Sequence, residues 1–496
     1  MINILSVDNM RKSDAYTIAH HTTGRELMYL AGKGVFEAVK WRSPVAVICG
    51  SGNNAGDGYV IAKLLSDAGI GCEIILLSER FSDDGKYYFD ICKDAGIPYR
   101  SWDKTVDLSR YAALVDCIFG TGFKGEIRGT AKEVIEAINS SGAYTVSVDI
   151  NSGLNGDNGL AELCVISDVT VSAGGFKSGH FMNMAKDVMK QKVNIDIGIE
   201  PVEKPYHLIE ANDIKHIFAP RKNYSHKGTY GYTALVGGSR RYQGAVRLAQ
   251  SANSAMRSGA GVVKLAIPGA IWHVLAPLVL ESTLFPLSDD GDRIVFNEDE
   301  AKELISNVKT VAFGMGVGTG EGTGRMLEYL LENYTGRFIV DADGLTLLSK
   351  TDRGLIKSFG GTLILTPHIK EFSRLTGKEI SDILSSPIKY AEEYSKETGA
   401  ILLLKGPTTV ITDGETTYLV DRGCPGMAAA GSGDVLSGIL SAVLGFAKDP
   451  LLGTAAGAYI NGRAGELAES QNGSVGMIAS DTVACVRAAV YELEKS

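Results

Sequence analysis

The stretch AAAGSGDVLSGIL, Ala428 to Leu440, places a carboxylate in an unusual setting. Asp434 follows Gly431 and Gly433 at the point where a loop is predicted to become an apolar helix, and Gly438 comes one turn later. Glycine lets the backbone approach a ligand or a neighbouring segment closely, because it has no Cβ. The question is which ligand or reaction requires a carboxylate in a segment that is so rich in glycine and alanine.

The composition predicts a soluble globular protein of two or three domains. The chain has 496 residues, 45% of them hydrophobic, which is enough for each domain to bury its own core. A net charge of −9 without a dense Lys/Arg tract argues against nucleic acid or an anionic membrane as a partner and favours small molecules. The 7 cysteines form no CxxC pair, so we expect reduced, buried thiols and a cytoplasmic protein. No apolar run has the length of a membrane span or an export signal.

Short apolar runs of strand length alternate with helical spacing in the first half of the chain. The runs are Val45–Cys49, Glu73–Leu77, Ala113–Phe119, Tyr144–Ile150 and Asp168–Ala173. Between the first two, the apolar residues of Asp57–Gly69 recur three and four apart, which predicts a helix. This pattern is typical of a doubly wound, Rossmann-like three-layer α/β domain.

A second series of strand-length runs indicates a second α/β domain. Its runs are Tyr232–Val236, Gly261–Ile267, Thr310–Phe313, Arg337–Asp343, Thr362–Thr366 and Ala400–Lys405. Asp413-Gly414 then lies between two β-rich arms, which predicts a hairpin. The polar segment Glu203–Gly231 interrupts the alternation, and we place the domain boundary near residue 215, giving domains 1–215 and 216–496.

Glycines and oxygen-bearing side chains follow three strands of the first domain. Gly50–Gly58 (GSGNNAGDG) follows the first strand without G-x-G-x-x-G spacing, and the alternative interpretation is a tight turn that binds no ligand. Asp116 precedes the loop Gly120–Gly129, and Asp149 precedes NSGLNG. Ligands of parallel α/β sheets bind beyond the carboxyl ends of the strands. The glycine loops therefore suit phosphates, and the oxygens of Asn54, Asp116, Asp149 and Ser152 suit a hard cation.

Taken together, the segments SGNNAGDGYV, VDCIFGTGFKGEIRG and VDINSGLNGDNG resemble the NAD(P)HX epimerase family. The second half, from SHKGTYG through GSGDVLSG, is similar to the ADP-dependent NAD(P)HX dehydratases, which have a ribokinase-like fold. The resemblance spans nearly the full chain. It implies a bifunctional repair enzyme for NADHX and NADPHX, in which water has added across a double bond of the nicotinamide ring. Epimerisation interconverts the R and S forms, and dehydration of the S form restores NAD(P)H with ADP, giving AMP and phosphate.

The resemblance implies a role for each part of the opening stretch. Gly431 and Gly433 would hold a transferring phosphoryl group at a helix N-terminus. Asp434 would take the proton from the hydroxyl of the hydrated nicotinamide as it attacks, after which phosphate is eliminated. The alternative is an acid that only stabilises the helix dipole.

Further site residues of the second domain follow from the resemblance by position. The dehydratase substrate contacts are Ala245, Gly316, Gly318, His368 and Asp434. The nucleotide contacts are Lys405, Gly406, Pro407, Thr408, Thr409, Ala430, Gly431, Ser432 and Gly433. Mg²⁺ accompanies the ADP, and Asp341 and Asp343 are candidates to assist it.

In the first domain the resemblance implies a potassium site, a dinucleotide site and one acid/base residue. The K⁺ ligands are Asn54, Asp116 and Ser152. The epimerase substrate contacts are Asn53, Asn54, Ala55, Gly56, Asp57, Gly120, Thr121, Gly122, Phe123, Lys124, Gly125, Glu126 and Asp149. Asp149 is the acid/base residue, and its alternative role is a strand-terminal acid that caps a turn.

Four positions depart from the family pattern. Ala55 and Ala430 stand where glycine is frequent, and Asn151 stands where proline is frequent. Ile369-Lys370 replaces Pro-Gly after His368. The last change frees a backbone donor and disfavours positive φ beside the proposed substrate contact, so we expect it to alter substrate affinity.

Two other functions stay open from the residues. The second domain would be a vitamin-precursor or sugar kinase if its phosphorylated product accumulated. The first domain would be a ligand-binding module without catalysis if it bound the dinucleotide but did not epimerise it. A homo-oligomer is also expected, with small-molecule substrates and with neither nucleic acid nor membrane as a partner.

Overall fold

The computed structural model describes residues 1–123, 125–254 and 257–495. The chain forms two compact units: Asn3–Tyr206, and His207–Ser496 with Met1–Ile2. Tyr206 lies within the polar segment that interrupts the α/β alternation. The domain limits 1–215 and 216–496 stay a prediction.

The first unit is built on a parallel sheet. The strands of this unit are β1 (Ile2–Leu5), β2 (Val45–Cys49), β3 (Cys72–Leu76), β4 (Tyr99–Ser101), β5 (Ala113–Cys117), β6 (Tyr144–Val148), β7 (Ser167–Ala173), β8 (Phe176–Lys177) and β9 (Met189–Ile195). β1 and β8 pair with each other in parallel, and the other seven strands form the sheet. Within the described residues the sheet order is β4-β3-β2-β5-β6-β7-β9. The strand order reverses between β2 and β5, and the crevice at such a reversal is where doubly wound sheets bind ligands.

Helices cover this sheet, and their first turns are set by local capping. They are α1 (Val7–His20), α2 (Gly24–Ala38), α3 (Asn53–Asp67), α4 (Asp83–Asp94), α5 (Thr130–Ser140) and α6 (Ala185–Val188). Ser6 caps α1 by accepting from the Asn9 N–H at 3.0 Å. α3 begins at Asn53, four residues before the predicted start at Asp57, because the glycine loop ends at Gly52 and the residues after it already form the helix.

The second unit carries a sheet with a parallel core and an antiparallel end. Its strands are β10 (Tyr206–Leu208), β11 (Tyr232–Val236), β12 (Val262–Pro268), β13 (Thr283–Leu287), β14 (Thr310–Phe313), β15 (Arg337–Val340), β16 (Thr362–Leu365), β17 (Ile401–Leu404), β18 (Thr409–Thr412) and β19 (Thr417–Val420). Over the described residues their order is β13-β12-β11-β14-β15-β16-β17-β18-β19-β10. β18 and β19 pair antiparallel across Asp413-Gly414, so the predicted hairpin is confirmed.

The second unit is rich in helices. They are α7 (Ala211–Ile214), α8 (Gln243–Ser254), α9 (Trp272–Leu275), α10 (Glu298–Ile305), α11 (Glu321–Asn333), α12 (Asp343–Leu348), α13 (Arg353–Lys357), α14 (Ile369–Thr376), α15 (Ile380–Ser385), α16 (Pro387–Thr398), α17 (Ser432–Phe446), α18 (Pro450–Asn472) and α19 (Ala479–Lys495). In the described part of the chain, no helix combines the length and the apolar character needed to cross a membrane.

Gly438 lets α17 pack closely against α8. A Cβ added at Gly438 would lie 2.1 Å from the carbonyl oxygen of Ala249 in α8. The residues around Gly438 on α17, among them Val435 and Ile439, are fully buried. The last glycine of the opening stretch therefore serves helix packing, whereas Gly431 and Gly433 lie at the helix start.

We expect Gly438→Ala to lower the free energy of unfolding by about 1–3 kcal/mol, because the new methyl group meets backbone that cannot rotate away. Urea unfolding of the wild type and of Gly438→Ala measures this difference in the free energy of unfolding. The matched control is Gly324→Ala in α11, where the new Cβ would meet Leu347 at an ordinary 3.8 Å. Equal stability of the two variants would contradict a close approach of α17 to α8.

Candidate active sites

The first candidate site is a cavity of about 740 Å³ at the strand-order reversal of the first unit. Its walls come from α1, the start of α3, the segment after β5, the end of β6 and β8. Its lining residues include Asp14, Asn54, Asp57, Gly120, Asp149 and Lys177. Gly50, at the end of β2, is needed here because a Cβ on it would lie 2.1 Å from the carbonyl oxygen of Ile118.

The three predicted potassium ligands lie together: Asn54 and Ser152 contact the backbone of Phe119, and Asp116 is hydrogen-bonded to Ser152. The Asn54 side-chain amide donates to the Phe119 carbonyl oxygen at 3.0 Å. Ser152 Oγ accepts from the Phe119 N–H at 2.8 Å and lies 2.5 Å from Asp116 Oδ1. The structure thus brings together three side chains that are separated by up to 98 positions in the sequence, from Asn54 to Ser152.

This cluster contains a buried oxygen that has no partner. Asn54 Oδ1 is buried and accepts no hydrogen bond from the described residues. Buried polar atoms are nearly always satisfied, so this oxygen needs a partner such as an ion or a water molecule. Burial raises the pKa of Asp116, although hydrogen bonds from Ser152 and Ser147 act in the opposite direction. An amide oxygen, a carboxylate and a hydroxyl are the donors that a hard cation prefers.

Asp149 lies directly after β6 in a strained backbone conformation. Its φ is 66°, a region that non-glycine residues rarely occupy and that costs about 1–3 kcal/mol. Its Oδ1 accepts from Lys177 Nζ at 2.5 Å, and its Oδ2 accepts from the Thr121 N–H at 3.3 Å. The carboxylate is therefore held by two other segments of the cavity wall.

The surroundings of Asp149 keep it ionised. Burial alone would raise its pKa, but the charge and hydrogen bond of Lys177, with His180 and the Thr121 N–H, lower the pKa below its ordinary value. Burial and the charge of Lys177 lower the pKa of His180 to about 4, so this imidazole is neutral near pH 7. His180 accepts from the Lys177 N–H at 3.0 Å and lies 2.7 Å from the Asp149 carbonyl oxygen, which accepts from it.

Lys177 is a site residue that the sequence did not reveal. Only 1% of its side chain is exposed, and Nζ also donates to Ser172 Oγ and to the Ala173 carbonyl oxygen, each at 3.1 Å. It is positioned by β8, which pairs with β1 through Leu5 and Lys177. The available signal was a lysine in an apolar segment just after a predicted strand.

Two further carboxyl groups of the same cavity have raised pKa values. Burial raises the pKa of Asp14 to about 6, with Lys177 lowering it and Asp149 raising it. Burial, with the charges of Asp149 and Asp14, raises the pKa of Asp57 well above its ordinary value. The cavity therefore combines one ionised carboxylate with carboxyl groups that hold a proton more readily.

The predicted dinucleotide loops line this cavity in part. Asn53, Asn54 and Asp57 lie in the first turns of α3, and Gly120–Phe123 line the cavity from the loop after β5. The rings of Phe119 and Phe123 stack with centroids 4.5 Å apart. Ala55 and Gly56 are buried in α3, Gly125 and Glu126 follow in the same loop, and Lys124 lies outside the described residues.

The second candidate site lies where α17 begins in the second unit. Gly431 is in the left-handed region with φ 93°, and Ser432 Oγ is buried without a partner among the described residues. The first N–H groups of a helix have no intrahelical partner and can receive an anion. A Cβ on Gly433 would lie 3.4 Å from Lys405 Nζ and 3.6 Å from Asp341 Oδ2, so the glycine faces this charged pair.

Lys405 and Asp341 form a largely buried ion pair beside Asp434. Lys405 Nζ lies 2.9 Å from Asp341 Oδ1, and Ser437 Oγ of α17 donates to Asp341 Oδ2 at 2.7 Å. Burial raises the pKa of Asp434 to about 7, supported by the charge of Asp341 and opposed by that of Lys405. A carboxyl group with a pKa near 7 is suited to accept a proton at neutral pH.

His368 and the departure after it form the start of α14. His368 Nδ1 accepts from the N–H groups of Lys370 and Glu371 at 3.0 and 3.3 Å, so the His368 side chain caps α14, whose first residue is Ile369. Glu371, which the sequence did not single out, lies 3.9 Å from Lys405. Burial raises the pKa of Glu371, and Lys405 opposes this.

The other predicted residues of the second site lie around the same sheet edge. A Cβ on Gly316 would lie 3.1 Å from that of Ala245, and the Gly318 N–H donates to Asp343 Oδ2 at 2.9 Å. Thr408 is buried, and its hydroxyl donates to Asp421 at 2.9 Å. The remaining predicted nucleotide contacts follow β17 or precede α17: Gly406, Pro407, Thr409 and Ala430.

Comparisons with known proteins bear on both sites. Residues 233–486 match the family described as NAD(P)H-hydrate dehydratase, and residues 24–179 match the YjeF-related protein N-terminus. The chain is 34% identical to the bifunctional NAD(P)H-hydrate repair enzyme Nnr of Moorella thermoacetica, over 92% of this chain and 90% of the relative. It is 30% identical to the Nnr of Escherichia coli, over 92% of this chain and 87% of the relative.

A solved structure is similar to the second half of the chain. It is the ADP/ATP-dependent NAD(P)H-hydrate dehydratase from Bacillus subtilis, co-crystallised with ATP and Mg²⁺. The two are 25% identical with a TM-score of 0.52, and the match covers 58% of this chain and 99% of the other.

We expect Asp434→Asn to stabilise the protein at pH 8 by about 1–4 kcal/mol, since raising the folded-state pKa to about 7 makes ionisation costly in the folded state. The gain shrinks as the pH falls through 7 and disappears near pH 4, where both states are protonated. Urea unfolding across this pH range measures it. Asp382→Asn, at an exposed position of α15, is the control with no such dependence. A pH-independent difference for Asp434→Asn would contradict the raised pKa.

Proposed function

The chain belongs to the family of bifunctional NAD(P)H-hydrate repair enzymes, and we propose which of its residues carry each of the two activities. It is an NAD(P)HX epimerase and an ADP-dependent (S)-NAD(P)HX dehydratase, with a Rossmann-like domain followed by a ribokinase-like domain. These comparisons support repair and not the alternative of a small-molecule kinase joined to a non-catalytic module.

Asp434 is the general base of the dehydratase in this proposal. The observation that carries it is a carboxyl with a pKa of about 7 in the first turn of α17, beside Gly433 and the Lys405–Asp341 pair. Asp434 takes the proton of the substrate hydroxyl while the hydroxyl oxygen attacks the terminal phosphoryl group of the nucleotide. The N–H groups at the start of α17 receive the phosphoryl oxygens, where charge accumulates. Phosphate then leaves with the C–O electron pair, and loss of a proton from the neighbouring ring carbon restores NAD(P)H.

The nucleotide is accompanied by Mg²⁺ in the related dehydratase of Bacillus subtilis. In this chain the carboxylates of Asp341 and Asp343 lie near the start of α17 and fit a cation that also binds phosphate oxygens. When bound, Mg²⁺ neutralises part of the phosphate charge. Lys405, Gly406, Pro407, Thr408 and Thr409 with the segment Ala430–Gly433 form the proposed nucleotide contacts, and Ala245, Gly316, Gly318 and His368 the substrate contacts.

Asp149 is the acid/base residue of the epimerase in this proposal. Its ion pair with Lys177 keeps it able to accept a proton, and its position in the cavity gives it access to the nicotinamide ring. Asn54, Asp116 and Ser152 would hold K⁺, and the orphan Asn54 Oδ1 supports this ligand set. Bound K⁺ would supply positive charge that orders the loops after β2 and β5. A homo-oligomer and a cytoplasmic location stay predictions.

The main test mixes the purified protein with ADP, Mg²⁺ and both NADPHX epimers and follows reduced-nicotinamide absorbance. We expect full recovery with the wild type, at least about 100-fold slower recovery with Asp434→Ala, and a slowed second phase with Asp149→Ala. The dehydration rate of the wild type should rise with pH through about 7, because Asp434 acts ionised. No recovery with either ADP or ATP would contradict the repair function.

The potassium site is tested with Asn54→Ala. We expect K⁺ to raise the thermal midpoint and the epimerase rate of the wild type, and to do neither for the variant, because the variant lacks the orphan oxygen. Asn333→Ala, at the exposed end of α11, is the matched control and should respond like the wild type. A K⁺ response that survives Asn54→Ala would contradict this ligand set.

A further inference from the structure

We propose that Asp14 is a second proton-transfer residue of the epimerase, acting on the substrate from a different wall of the cavity than Asp149. This rests on the proposed function of the first domain. Asp14 belongs to α1, which precedes the segment 24–179 that matches the family of the N-terminal domain. No role was predicted for it from the sequence.

The geometry sets Asp14 apart from the other acid of its helix that lines the cavity. Asp8 is half exposed and forms ion pairs with Arg11 and Lys12, each at 2.7 Å, so its negative charge is compensated. Asp14 is partly buried, lines the cavity, and accepts no hydrogen bond from the described residues. A carboxyl group that is withdrawn from water and left unpaired is costly, and such groups are concentrated at functional sites.

Burial and the charged groups of the cavity together determine how readily Asp14 holds a proton. Those that interact with it directly are Lys177 from β8 and Asp149 from the end of β6. The other charged groups of the cavity wall are Asp8, Arg11, Asp57, Asp84 and Asp157. Burial is the main reason that the pKa of Asp14 is raised to about 6; the charge of Lys177 opposes the rise and that of Asp149 adds to it.

Inversion of the hydroxyl-bearing carbon needs one group that gives a proton and another that takes one. Protonated Asp14 gives its proton to the hydroxyl oxygen. The C–O bond then breaks, and the protonated oxygen departs as water with the electron pair of that bond. The lone pair of the ring nitrogen forms a C=N⁺ bond. A water molecule then adds to the other face of the ring, and its proton passes to Asp149. Substrate and product have the same composition, and solvent exchange returns the proton from Asp149 to Asp14.

The two carboxyl groups differ in the way that such a pair requires. Lys177 keeps Asp149 ionised, whereas burial raises the pKa of Asp14 to about 6. The active form carries one proton on Asp14 and none on Asp149. The population of this form falls as the pH rises above about 6. We therefore expect the rates of R-to-S and S-to-R epimerisation to fall over the same pH range.

The experiment compares Asp14→Asn with the wild type and with Asp67→Asn, which changes an exposed acid of α3 that forms an ion pair with Lys63. We expect Asp14→Asn to slow epimerisation at least about 100-fold, to remove the fall in rate above pH 6, and to leave dehydration of the S form unchanged. Its thermal midpoint at pH 8 should equal or exceed that of the wild type, because an ionised buried carboxyl has been removed. In H₂¹⁸O, the wild type should introduce ¹⁸O into the inverted product.

Three results would overturn the inference while leaving the proposed function intact. They are an unchanged epimerase rate for Asp14→Asn, a lower thermal midpoint with an unchanged pH profile, and inversion by the wild type without ¹⁸O incorporation. Failure of the wild type itself to epimerise NADPHX above the spontaneous rate would instead refute the epimerase function, so the two failures are distinguishable.

Discussion

In each unit a lysine withdrawn from water is paired with an aspartate at the carboxyl edge of a parallel sheet. Lys177 lies 2.5 Å from Asp149 in the first unit, and Lys405 lies 2.9 Å from Asp341 in the second. Burying one charge is expensive unless a partner and further hydrogen bonds compensate it. Each pair has them: Ser172 and the Ala173 carbonyl serve Lys177, and Ser437 serves Asp341. Segments distant in sequence are thereby fixed at one point.

The paired aspartates also affect how the neighbouring carboxyl groups ionise, in addition to the larger effect of burial. One aspartate is held negative by its lysine, so any further carboxyl in the same water-poor space meets an existing negative charge. The pKa of Asp14 is raised to about 6 and that of Asp434 to about 7, chiefly by burial, and the paired aspartate adds to the effect in both cases. Titratable groups whose environments push their pKa values apart are what acid and base catalysis at neutral pH requires.

The sequence was sufficient to predict the sheets and the site residues that directly follow their strands. Parallel strands buried on both faces are continuous apolar runs, so Val45–Cys49 and Tyr232–Val236 were predicted with their observed limits. Lys177 was not found, because it lies on a two-residue strand whose partner, β1, is more than 170 positions away. Asp14 was not found either, because the local sequence of α1 does not show which of its residues line a cavity. Long-range pairing decides both positions.

The competing interpretation of Asp434, an acid that merely stabilises the dipole of α17, can be weighed against the structure. A carboxylate in the first turn of a helix gains about 0.3–1 kcal/mol from the dipole, which favours its charged form and lowers its pKa. The pKa of Asp434 is instead raised from its ordinary value to about 7, which corresponds to about 4 kcal/mol in the opposite direction. Burial and the neighbouring carboxylate of Asp341 therefore outweigh the dipole several-fold. A residue retained for the dipole would be better placed on the exposed side of the turn, whereas this one is held against Lys405 and Asp341 at a cost in stability, as expected of a group that has to accept a proton.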